Sequence, residues 1–76
     1  MPEKTDWEAR VANLLKSELK RKGVTYGQLV ERLAAIGVDE KEVNIRNKLA
    51  RGKFTASWLV QCLEAIGTHS LRVSED

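Results

Sequence analysis

The feature that most constrains this chain is a near-copy. Residues 29–37 read LVERLAAIG and residues 59–67 read LVQCLEAIG, thirty positions apart. The match extends upstream, where Thr25 corresponds to Thr55 and Val24 to Phe54. A period near thirty is that of helical solenoids, yet those need about three or more stacked units to bury a continuous core. Only two copies fit in 76 residues, and the segments after them, VDEKEVNIRNKLARGK and THSLRVSED, share nothing. The near-copy is therefore read as two helices that start, pack and stop by the same rules inside one domain.

Those rules recur along the chain. Thr5 with Glu8 three residues on has the form of a capping box, and Gly23 can end a helix in the left-handed conformation, so helix 1 is expected over residues 6–22. Trp7, Val11, Leu14, Leu15 and Leu19 fall on its inner arc, with Asn13, Lys16 and Lys20 opposite. Thr25 and Gln28 repeat the box for helix 2, Val24 staples to Leu29, and Tyr26, Leu29, Val30 and Leu33 face inward before Gly37. Helix 3 is expected to start from Asp39 as cap, with Glu42 reciprocating and Val38 stapled to Val43. Thr55 caps helix 4, with Phe54 opposite Leu59 and Gly67 at the exit. Each cap contributes roughly 1 kcal/mol.

The expected fold is all-α, a compact bundle of four main helices over residues 6–67. An N-terminal extension precedes it over 1–5 and a tail follows over 68–76. SLRV in that tail alternates like a short edge strand, which would be a fifth element; a frayed terminus is the alternative.

Composition removes several classes of function. A formal net charge of +2, one Pro and five Gly fit a soluble, mostly helical domain. No apolar run approaches the roughly 18–20 residues of a membrane span, and MPEKTDWEAR has no apolar signal core, so a reducing cytoplasm is the expected compartment. Cys62 and His69 are the only residues of their kinds, which leaves no ligand set for a metal and no nucleophile with its base. No cofactor, small-molecule substrate or catalytic role is expected. Cys62 lies on the apolar stripe of helix 4 and reads as a buried small hydrophobe, and Trp58 lies at the stripe's margin, where it could meet a partner.

Helix 3 carries the most chemistry. With Asp39 as cap, Val43, Ile45, Leu49 and Ala50 fall on the inner half and Asn44, Asn47, Lys48 and Arg51 form an outer stripe at i, i+3, i+4, i+7. Asn can pair bidentately with adenine, while Arg and Lys reach guanine edges or phosphates, so this face suits a DNA major groove. A solvated polar face is the competing reading. Residues 44–53 hold four cations, Arg46, Lys48, Arg51 and Lys53, and no acid. Arg46 follows Glu42 by four residues and reads as the partner in a helix ion pair. Asp39, Glu40 and Glu42 are accounted for by capping and the helix dipole.

The run of helix 1, TYGQLVERLAAIGV, a helix ending LARGK, and WLVQCLEAIG resembles the helix-turn-helix domains of phage-repressor and Cro type over residues 7–67. More narrowly, NIRNKLARGKFTASWLVQCLEAIG is similar to a group of small bacterial proteins carried as a domain of unknown function. The resemblance implies a non-catalytic, double-stranded-DNA-binding bacterial transcriptional regulator in which helices 2 and 3 form the reading unit. It implies backbone-phosphate contacts at Thr25, Tyr26 and Gln28, where a helix N-terminus presents N–H groups to anions, with capping as the other role for Gln28. Lys53 could reach a neighbouring phosphate, and a homodimer fits because one short helix contacts few base pairs. The alternative on the same fold is a protein-interaction module without DNA binding, with its surface around Trp58 and the tail.

Overall fold

The computed structural model describes residues 5–71, which form α1 (Asp6–Lys22), α2 (Tyr26–Ala35), α3 (Glu42–Arg51) and α4 (Ala56–Ala65). Threonines start three of the four. The Thr5 hydroxyl accepts from the Glu8 N–H at 3.1 Å, and Glu8 Oε1 accepts from the Thr5 N–H at 2.8 Å. Thr25 and Gln28 repeat the box at 3.1 and 2.9 Å. The Thr55 hydroxyl accepts from the Trp58 N–H at 3.0 Å, with an indole where the other two helices place a reciprocating side chain.

The exits of α1, α2 and α4 are also alike. Val24, Val38 and Thr68 each donate their N–H to the carbonyl five residues back, and Gly23, Gly37 and Gly67 each donate to the carbonyl three residues back. All three glycines are left-handed, so orphan carbonyls are satisfied while the chain turns out of the helix.

The near-copy thus specifies ends, and it does not specify packing. In α2 the buried side chains are Leu29 and Leu33, while Ile36 is exposed. In α4 the buried ones are Trp58 and Cys62, with Ile66 buried just past its end, and the copied Leu59 and Leu63 are only half-buried. Relative to its copy, α4 is turned by about one residue, so the expectation of one shared stripe is corrected. The phase shifts because Trp58, absent from the α2 copy, claims the interior. Its ring packs against Phe54 with centroids 5.0 Å apart.

The core is one cluster in which Ala12, Leu15 and Leu19 of α1 meet Leu29 and Leu33, Ile45 and Leu49, and Trp58, Cys62 and Ile66. Helices α1 and α2 each pack against both α3 and α4. Trp7 departs from the expected inner arc and is 73% exposed, with the Arg10 guanidinium 5.3 Å from its ring centroid. The buried side chains of α1 begin only at Ala12. Ser70 and Leu71 are not in a strand, and the rest of the SLRV segment lies outside the described residues.

At the first turn of α1 the approach is made by backbone. Gly52, which ends α3 at φ 68°, sits so close to Glu8 that an added Cβ would collide with the Glu8 carbonyl oxygen, lying 2.7 Å from its carbon. Gly23 has the same left-handed backbone with open space around it. Gly23→Ala should therefore cost about 1 kcal/mol of backbone strain, and Gly52→Ala more than about 2 kcal/mol because a helix contact must also open. Urea midpoints of the two variants check this, and equal losses would contradict it.

Candidate functional site

The start of α3 differs from the expectation. Asp39 caps nothing; the helix begins at Glu42 behind an extended Lys41, with no side-chain cap. The reason is Glu40. Its Oε1 accepts from the Lys41 N–H at 3.0 Å, and its Oε2 accepts from Lys48 Nζ at 2.7 Å and from the Trp58 indole N–H at 2.8 Å. The Lys48 ammonium also lies 4.6 Å from the centroid of the Trp58 ring. The Glu40 side chain is only 7% exposed, so one carboxylate joins the α2–α3 connection, α3 and α4 from inside.

This arrangement changes which side chains α3 presents. Lys48, expected on the outer stripe, is turned toward Glu40 and is partly covered. Val43, expected inside as the partner of a staple, is 51% exposed, and Ala50 is exposed as well. Ile45 and Leu49 are the buried pair. The outward face is therefore Val43, Asn47, Ala50 and Arg51, flanked by Asn44 and Arg46. Arg46 is paired with Glu42 at 3.0 Å in the acid-first order expected for it, although both side chains are exposed. Among the described residues, Asn47 and Arg51 make no side-chain hydrogen bond or ion pair. Asn44 is exposed on the flank nearest Glu40, where its amide helps to hold that carboxylate ionised.

The α2 candidates separate into capping and surface groups. Thr25 and Gln28 are spent on each other, so what this end of α2 offers an anion is its free backbone N–H groups rather than those side chains. Tyr26 is half-buried against the core. It lines a shallow depression with Thr25, Lys16 and Lys20, two lysines from α1 that the sequence places merely on a polar face. Lys53 stands 3.7 Å from Glu8 with its side chain 62% exposed, a loose and exchangeable pair.

Cys62 and Glu18 are held within the fold. Burial pushes the Cys62 thiol up to about 12, which keeps it protonated and unreactive at neutral pH. His69 is exposed. Glu18 accepts from Arg21 at 2.7 Å and from the Thr68 hydroxyl at 3.1 Å, joining the C-terminal part of α1 to the exit of α4. No helix among the described residues is long and apolar enough to cross a membrane.

Compared with known protein families, the chain matches over residues 7–71 the family described as a domain of unknown function, DUF6471, and it belongs to that family. Comparison with curated proteins gives no match, and neither does comparison with solved structures.

Three carboxylates are held below the ordinary glutamate value of 4.5: Glu8 by the Thr5 N–H, Glu18 by Arg21, and Glu40 by Lys48, the Lys41 N–H and Asn44 against an opposing push from burial. A folded-state value below the unfolded one favours the native state above the unfolded value, and the benefit is lost as pH falls through the folded value. Stability should therefore hold down to about pH 5 and then fall. Glu40→Gln should be less stable at neutral pH yet show a shallower acid loss, because one linked carboxylate is gone. Lys48→Met, which strands a covered carboxylate, should cost about 1–3 kcal/mol at neutral pH. Urea titrations at several pH values read all three, and an acid profile unchanged by Glu40→Gln would contradict the assignment.

Proposed function

We propose that this DUF6471 domain is a non-catalytic DNA-binding module, a regulator of repressor-like helix-turn-helix type that lays α3 in the major groove. The observation that carries the reading is the outward face of α3. Asn47 and Arg51 stand there unengaged, beside the small apolar side chains Val43 and Ala50. An Asn amide matches the donor and acceptor of adenine, an Arg fork matches the two acceptors of guanine, and small apolar groups suit the thymine methyl. Lys16 and Lys20 beside the start of α2, and Lys53 beyond α3, supply cations for phosphates, which fix register without reading sequence. Lys48 leaves the reading set, because its charge is already matched by Glu40.

A protein-interaction module on the same fold is the second reading. Trp58 no longer supports it, being a core residue, but Val60 is 62% exposed beside Leu63 and Leu71. Such a surface predicts binding that is insensitive to salt.

Anisotropy of a labelled mixed-sequence duplex, titrated between about 50 and 200 mM salt, separates the two readings. Three phosphate contacts predict a slope of log affinity on log salt of about −2.7, at roughly 0.9 per contact. On a selected site, Asn47→Ala and Arg51→Ala should each cost about 1–3 kcal/mol of binding with the fold intact. No binding at the lowest salt, or unchanged affinity in the double variant, would contradict the proposal.

A further inference from the structure

The connection between α2 and α3 runs over residues 36–41, six residues where a compact helix-turn-helix unit uses about three or four. A connection of that length does not by itself fix the rotation of α3 about its axis. Ile45 and Leu49 bury one edge of the helix, but two apolar side chains four residues apart define a line rather than an orientation. The second constraint is the carboxylate of Glu40, which draws Lys48 toward Trp58 on the flank of that line. The backbone of α3 packs closest to α1 and α2, and toward α4 this junction supplies the hydrogen-bonded link beside the core cluster that Ile45 and Leu49 share with Trp58.

We infer that Glu40 is a positioning residue for the DNA-facing helix: by engaging Lys48 and Trp58 together it withdraws the Lys48 ammonium from the groove face and fixes the rotation that presents Val43, Asn47, Ala50 and Arg51. The inference rests on the DNA-binding reading above. Its chemical content is charge matching. A free lysine at the edge of a reading helix binds phosphates of any sequence, adding affinity without discrimination. Held by Glu40, the same lysine adds neither, and the face keeps only the groups that tell bases apart. Trp58 completes the arrangement, because its N–H shares the Oε2 atom with the ammonium and its ring lies beneath that ammonium.

The test compares wild type, Glu40→Gln and Lys48→Met in duplex binding over the same salt range. Glu40→Gln keeps the shape and can still accept from the indole, but no longer matches the charge. It should release Lys48, steepen the salt slope by about one contact's worth, roughly 0.9, and raise affinity for mixed-sequence duplex at low salt. Lys48→Met should leave the wild-type slope unchanged, and adding it to Glu40→Gln should restore that slope. A Glu40 that merely stabilised the fold would lower affinity and leave the slope alone. The inference is overturned if Glu40→Gln binds with the wild-type slope, or if Lys48→Met alone flattens the slope by one contact, since Lys48 would then already touch DNA. If Glu40→Gln does not fold, Lys48→Met still tests the withdrawal of Lys48, because a slope flattened by one contact would overturn it. Absence of duplex binding by the wild type would instead remove the DNA reading and this inference together, an outcome distinct from binding with an unaltered slope.

Discussion

One carboxylate holds the arrangement together. Glu40 is nearly covered, and a covered carboxylate must be matched by charge and hydrogen bonds or it will not stay ionised. It is matched from three directions: the backbone of Lys41 before α3, the ammonium of Lys48 within α3 and the indole of Trp58 within α4. The start of α3, its rotation and the inward turn of Trp58 all follow from that demand. So does the shifted phase of α4, since bringing the indole to Glu40 displaces Leu59 and Leu63 from the interior.

The rest of the molecule is held by local rules repeated with little variation. Threonine starts three helices, and three left-handed glycines close exits that use the same pair of backbone bonds. Gly52 goes further, because its missing side chain lets the end of α3 meet the backbone of α1 at Glu8. Gly52 holds the end of α3, while Glu40 holds its start through the Lys41 N–H and its last turn through Lys48, and together with Ile45 and Leu49 they fix how the helix is displayed.

What could be read from the sequence follows the range of the interactions. Caps, boxes and glycine exits act over three to five residues, and helix 1, helix 2 and the cap of helix 4 were legible from Thr5, Thr25, Thr55, Gly23, Gly37 and Gly67. The Glu42–Arg46 pair was legible for the same reason. Glu40 was not, because its partners are eight and eighteen residues away, and no periodicity connects an acid in a loop to a lysine and an indole on two different helices. One signal was present: a Trp whose N–H needs an acceptor if it is buried, on a helix that holds no acid in its first turn. Missing that partner put Asp39 at the cap, Val43 inside and Lys48 outside. Of the candidate reading set, Asn47 and Arg51 stand where expected, while Lys48 is captured and Asn44 leans toward the same carboxylate.

The central claim is that α3 meets DNA with the face that Glu40 leaves exposed. Side-chain and backbone NMR shifts during titration with a duplex test it most directly. The predicted result is change concentrated at Val43, Asn47, Ala50 and Arg51 and at the start of α2 near Tyr26, with the Lys48 ammonium and the Trp58 indole N–H keeping their free-state shifts. Shifts confined to Val60 and the residues around His69, or a primary shift at Lys48 itself, would contradict it.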